Sequence, residues 1–341
     1  TAQLNFGQDN NNGRNFNVAA GITYSAASTT VNGGDGDNQF NISSNIGGTL
    51  NGGTGADVFD LNIDMYTGTM NGDGGTDQLI GADSANTNVW LVDSGATTSL
   101  TNNGNVVLFN TIENITGGSG VDQFTINTSV GTLNAGAGLD TINVINGGNV
   151  TTLNGGADVD TITVGDGTST GSVGTINGDA GNDVILVNTD GNVTASLNGN
   201  GGGDAITVNG TATAIDAGSG NDIINLAGSV SGVIDGGAGA DSLTVTAGIA
   251  GDSVTYELGN VTSANINVFQ IETLTANAVT TNTLQGDSTT DNLWNIAGTG
   301  NDVSDGTTTT TFSNITILEG GNGAAFTDTF NVSITGITVS Y

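Results

Sequence analysis

The chain has 341 residues, with 58 glycines, no proline, no cysteine and no histidine. Arg14 is the only basic side chain against 33 acids, which sets the net charge at -32. That balance excludes nucleic-acid binding and attraction to anionic membranes, both of which need Lys and Arg. No apolar run approaches the ~20 residues of a membrane-spanning helix. Ser–His–Asp and Cys–His catalysis, Schiff-base chemistry and zinc sites built on Cys or His all lack their residues, and disulfides are absent. High charge with abundant Gly and Asn leans toward disorder. However, 35% of residues are apolar, in short alternating runs, and the chain reads as folded.

The first 30 residues contain an alternating stretch, Phe16, Val18, Ala20, Ile22 and Tyr24, which predicts a strand. It either caps its own subunit or is donated to a neighbour. A repeat of about twenty residues then fills 31–332. Its pattern is aliphatic-Asn-Gly-Gly-x-Gly-x-Asp-x-apolar-x-apolar. Good copies run from Leu50 to Leu61 and from Ile234 to Val245. The anchor acid recurs at Asp57, Asp77, Asp122, Asp140, Asp160, Asp183, Asp204, Asp222 and Asp241, then at Asp291 and Asp328, with Asn38 in its place in the first copy. Between Asp122 and Asp241 the steps are 18, 20, 23, 21, 18 and 19 residues.

Each copy holds two strand signals. One follows the Asp, as in Thr161–Val164, and one leads into the next copy, as in Val150–Asn154. A coil of this size buries its apolar positions only by stacking on its neighbours, each adding ~4.8 Å along the axis. The fold class expected is therefore all-β: a right-handed parallel β-solenoid of about sixteen coils, one per ~20 residues. Three stretches break the period, near 78–121, 242–290 and 292–327. The first pairs Trp90 with a Phe109…Ile112-Glu113 segment, and the third pairs Trp294 with Phe312…Leu318-Glu319. They read as irregular coils whose aromatics fill a wider core. Residues 333–341 end the chain as a further strand segment.

Gly-Gly-x-Gly-x-Asp-x-apolar-x resembles the nonapeptide of the calcium-binding repeats-in-toxin (haemolysin-type) proteins. The Trp…Phe-x-x-Ile-Glu segments resemble coils of large bacterial surface adhesins. The resemblance implies an extracellular, secreted chain whose turn aspartates and glycine carbonyls bind Ca²⁺. It departs from that family in having one copy per coil rather than two, so at most one edge carries such a ladder. The spacing adds a physical reason for cations. Stacked carboxylates ~4.8 Å apart repel by roughly 1 kcal/mol even in bulk water, and Arg14 alone does not offset this. Hard oxygen-seeking Ca²⁺ suits loop carbonyls and carboxylates. Alternatively, each Asp simply accepts N–H bonds within its own turn. The candidate metal residues are thus Asp57, Asp77, Asp122, Asp140, Asp160, Asp183, Asp204, Asp222 and Asp241.

Paired acids such as Asp158 and Asp160 read as repeat-turn residues rather than a catalytic pair, and no enzyme is expected. The expected function is an extracellular structural protein, a calcium-stabilised subunit that polymerises with copies of itself. The alternative is a stalk or binding module of a cell-surface adhesin.

Overall fold

The computed structural model describes residues 2–5, 15–18, 29–43, 47–62, 67–83, 86–94, 98–246, 253–258, 266–269, 271, 273–275, 281–285, 293–296, 301–304, 309–313, 315, 317–319 and 329–332. Among them there is no helix. The chain forms a parallel β-solenoid of about 10 turns with coils of ~20 residues. Two compact units divide it, Thr1–Asn177 and Gly178–Tyr341. In each unit the coil is two-sided: strands alternate between two sheets whose inward side chains meet in a continuous core. Sheet I is the one the chain enters directly after Asp122 and each later anchor aspartate, and sheet II is the other.

Like stacks on like. In the first unit Phe40, Phe59 and Leu79 lie in register on sheet II, the two rings parallel with centroids 4.7 Å apart. In sheet I, Phe124, Ile142 and Ile162 follow one another, and Ile115, Leu133 and Leu153 do so in sheet II. The second unit repeats the scheme with Ile185, Ile206, Ile224, Leu243 and Leu274. All of these are buried. The alternation buried–intermediate–buried along each short strand is what period-2 side-chain geometry requires. On the outside an amide ladder marks the aliphatic-Asn step: Asn51 donates to Asn32 at 2.6 Å, Asn71 to Asn51 at 2.7 Å and Asn177 to Asn154 at 2.7 Å.

The turns follow the sequence. The second and fourth residues of Gly-Gly-x-Gly are left-handed, as at Gly53 (φ 110°) and Gly55 (φ 132°). Where glycine is replaced the conformation persists, with φ 68° at Asp73 and 75° at Asp158, because Asp tolerates this region better than most residues.

The irregular stretches are where expectation and structure part. Within 78–121 the chain lays down an antiparallel meander, Asn88–Val92, Ser99–Asn102 and Asn105–Asn110, all in sheet I. The strand Asn105–Asn110 packs parallel to Gly68–Gly74, and Asn88–Val92 parallel to Asp122–Ile126. Trp90 fills the core, 5.4 Å from Phe124 in a stacked pair and 6.1 Å from Phe109 edge-on. The second unit holds the same device: Leu293–Ile296, Asn301–Ser304 and Thr309–Ser313 form an antiparallel meander with Trp294 edge-on to Phe312. In the intervening stretch, sheet II gains a strand. Ile266–Phe269 pairs with both Val233–Asp235 and Ser253–Leu258. Extra strands within a sheet consume residues without adding coils, and the structure has about 10 turns where about sixteen coils were expected.

The N-terminal strands Ala2–Asn5 and Asn15–Val18 pair in parallel with the chain's own Thr29–Asp35 and Gln39–Ile42. Ala20, Ile22, Tyr24, Arg14 and residues 333–341 lie outside the described residues.

Candidate metal centre

The anchor aspartates are the most buried charged groups among the described residues. Asp57, Asp77, Asp122, Asp160 and Asp183 expose nothing, and Asp140, Asp204, Asp222 and Asp241 at most 2%. Their side chains turn inward under the Gly-Gly-x-Gly loop, and the glycines explain how. A Cβ on Gly117 would lie 2.5 Å from Asp122 Oδ2, and one on Gly178 would lie 2.6 Å from Asp183 Oδ2. The first glycine of each turn leaves the space that the carboxyl occupies.

One oxygen of each carboxyl is committed to the neighbouring coil, not to its own turn. Asp57 N–H donates to Asp77 Oδ1 at 2.7 Å, Asp122 N–H to Asp140 Oδ1 at 2.8 Å and Asp140 N–H to Asp160 Oδ1 at 2.8 Å. In the second unit Asp183 N–H reaches Asp204 Oδ1 at 2.8 Å, Asp204 N–H reaches Asp222 Oδ1 at 2.7 Å and Asp222 N–H reaches Asp241 Oδ1 at 2.8 Å. The aspartates therefore clamp coil to coil. The turn-capping alternative had the acceptor right and the donor one coil away from its true place.

The ladder also changes edge. As far as Asp77 the anchor turns carry the chain from sheet I to sheet II, and from Asp122 they carry it from sheet II to sheet I. The strand Gln78–Ile80 makes the switch. Leu79 pairs with Phe59 of a strand that follows an anchor, and with Ile115 of a strand that precedes one. The first unit thus holds ladders on both edges at different levels. Glu113 ends the first by accepting Asp77 N–H at 2.8 Å. Asn88 and Trp90 open the second, Trp90 Nε1 donating to Asp122 Oδ1 at 3.0 Å. Neither role was visible in sequence, because both sit inside an aperiodic stretch.

The other carboxyl oxygen is the chemically telling one. Oδ2 of Asp57, Asp77, Asp122, Asp140, Asp204 and Asp222 is buried with no hydrogen-bond partner. What surrounds that place is shown by Asn38, which takes the anchor position in the first coil. Its Nδ2 donates to Gly36 O at 2.7 Å, to Asp57 Oδ1 at 2.9 Å and to Gly52 O at 3.2 Å. Asn88 repeats this, its Nδ2 donating to Ala82 O at 3.3 Å. An amide N–H₂ suits a place bounded by three oxygens. A carboxylate oxygen there meets only acceptors, and an uncompensated buried charge is costly.

Burial accordingly pushes these carboxyls up, against the lowering effect of their hydrogen bonds. Asp122 rises to about 7, and Asp77 and Asp140 to about 6, while Asp57, Asp204 and Asp222 also rise. Neighbouring carboxylates add to the effect at several rungs, as Asp57 and Glu113 do at Asp77. The donor set is oxygen only, anionic and rich in carbonyls, and it lacks positive charge. That fits a hard divalent cation of the Ca²⁺ type, which the orphaned Oδ2 atoms and the glycine carbonyls beside them would hold. Carbonyls would have to supply most of the ligands, since no three acids cluster closely enough to hold a metal among the described residues.

No family model and no curated protein matches the chain.

Proposed function

We propose that this chain is an extracellular structural protein, a β-solenoid subunit that assembles with copies of itself into a filament, matrix fibre or surface layer and is stiffened by Ca²⁺. The observation that carries the reading is the inward aspartate ladder. Its rungs tie successive coils together, and its Oδ2 atoms sit where Asn38 places an N–H donor. In a chain with Arg14 as its only basic residue, compensating charge has to come from solution. The likeness of the turn sequence to repeats-in-toxin nonapeptides supports the same reading, with Ca²⁺ arriving outside the cell. When bound, the cation would supply the positive charge between carboxylate and carbonyl oxygens, converting a repulsive stack into a cross-linked one.

The test is assembly and folding against calcium. Circular dichroism and electron microscopy of the purified chain, in chelator and then in millimolar Ca²⁺, should show a gain of β signal and of polymers. A calcium-folded chain that stays monomeric at high concentration would shift the reading to an adhesin stalk. A fold and assembly indifferent to chelator would remove calcium from it.

A further inference from the structure

On the described strands from Asn88 onward, acids and exposed aliphatic side chains keep to different sheets almost throughout. Nine large apolar side chains are exposed among the described residues. In the first unit Val89, Val106 and Leu108 lie on strands of sheet I. Val121, Leu139 and Val159 each immediately precede the aspartate from which the chain enters sheet I. In the second unit Val184, Ile223 and Leu293 lie on strands of sheet I, with exposures of 44%, 52% and 41%. None lies on a strand of sheet II in either unit.

Charge follows the opposite rule. From Asn88 onward the described strands of sheet I carry one acid besides the inward Asp122, namely Asp302 in the second meander. The outward positions are otherwise Val, Leu, Ile, Thr, Ser, Asn, Gln and Ala. Sheet II does carry outward acids. Asp60 stands on it in the first unit, and Asp216 and Asp235 lie directly opposite each other on adjacent strands in the second. Among the described residues no basic side chain stands beside that pair, and the proximity of Asp216 adds to burial in pushing Asp235 up.

We propose that the outer face of sheet I from Asn88 onward, in each unit, is the surface on which a second copy of this chain packs, sheet face against sheet face. The occupant follows from charge. Two copies of a chain at -32 repel wherever carboxylates meet, and with Arg14 as the only basic residue there is no complementary patch to steer them together. From Asn88 onward this face carries Asp302 as its only acid besides the inward Asp122 among the described strands and is furnished with aliphatic side chains, so it is the surface on which like-charged copies approach at least cost and gain apolar burial. Short, regular strands with outward β-branched residues also suit the ~10 Å face-to-face packing of two sheets. This inference rests on the self-assembly reading and specifies the surface that serves it.

The test compares three chains by sedimentation velocity over a range of concentrations in millimolar Ca²⁺, with circular dichroism to confirm the fold. They are the wild type, Val184→Glu with Ile223→Glu on sheet I, and Ala195→Glu with Ser229→Glu on exposed positions of sheet II. The sheet I pair should weaken association by about tenfold or more, with an unchanged β signal, and the sheet II pair should stay within about twofold of wild type. A milder pair, Val184→Thr with Ile223→Thr, removes apolar area without charge and should weaken association by a smaller factor, which keeps the test open if the Glu variants misfold. A wild type that associates together with sheet I variants that associate equally well overturns this surface and leaves self-assembly standing. A wild type that is monomeric under all conditions overturns both.

Discussion

Replacing Asp122 by Asn is the sharpest probe of the ladder. Asp122 Oδ1 accepts the indole N–H of Trp90, and its own N–H is tied to Asp140 Oδ1, so an isosteric amide keeps both bonds. The new Nδ2 falls where Asn38, in its own coil, donates to two glycine carbonyls and a carboxylate. Burial raises this carboxyl from 3.8 to about 7. At roughly 1.4 kcal/mol per tenfold change in proton affinity, ionising it in the folded chain costs up to about 4 kcal/mol near pH 8. The sign follows. A raised folded-state pKa gives stability that is fully present below 3.8 and is lost as pH climbs through about 7. In chelator at pH 8 the Asn variant should therefore be more stable than wild type by a few kcal/mol, which is roughly 5–15 °C in midpoint for a unit of this size. The gap should shrink steadily below pH 7 and the two should converge as pH falls to about 4. In millimolar Ca²⁺ the order should narrow or reverse, because the variant would lack one charged ligand of the proposed cation. Thermal unfolding followed by circular dichroism over this pH and calcium grid decides it. A variant less stable than wild type in chelator at pH 8, with its fold intact, would show that Asp122 is neither charged nor short of a donor and would refute the reasoning.

Other consequences follow from the same geometry. The wild-type chain in chelator should lose stability from about pH 4 to about pH 7 and level off above that, because Asp77, Asp122 and Asp140 are raised from 3.8 to about 6 to 7; a flat profile in thermal melts across that window would contradict this. Gly117→Ala puts a Cβ 2.5 Å from Asp122 Oδ2 and against the carbonyl of Ala135, and should cost about 1–3 kcal/mol by overpacking, read as a lowered midpoint in urea. Trp90→Phe removes the indole donor to Asp122 and some core volume, leaving the Asn88 hydrogen bond; about 2–4 kcal/mol should be lost, more at pH 8 than at pH 5 because the carboxylate, with one donor fewer, is then charged.

Much of this architecture is written in the repeat. The spacing of the anchor aspartates, the left-handed glycines and the period-2 strands are local signals, and stacking identical coils turns local signals into a fold without long-range guesswork. That Asp158 adopts a positive φ in place of glycine follows the same logic. The meanders were legible only as breaks. A strand that runs antiparallel within one sheet, such as Ser99–Asn102, has the same alternation as one that crosses to the other sheet, so sequence alone does not tell them apart. The destination of each carboxyl was hidden for a related reason. Whether Asp140 Oδ1 reaches its own turn or the N–H of Asp122 depends on the stacking register, which is set by the whole coil. The roles of Glu113 and Asn88 carry no repeat signal, because these residues terminate ladders rather than recur within them.

The change of edge at Gln78–Ile80 has an electrical meaning. Along one edge each aspartate feels its neighbour a coil away, so protonation or cation uptake at one rung alters the next. Glu113 is the last rung on its edge and Asn88, uncharged, the first on the other. Between them lies the packed aromatic core around Trp90 rather than a line of carboxylates. Protonation along Asp57 and Asp77 should therefore be uncoupled from that of Asp122, Asp140 and Asp160 in the same unit, and a cation held as proposed would load the two ladders separately.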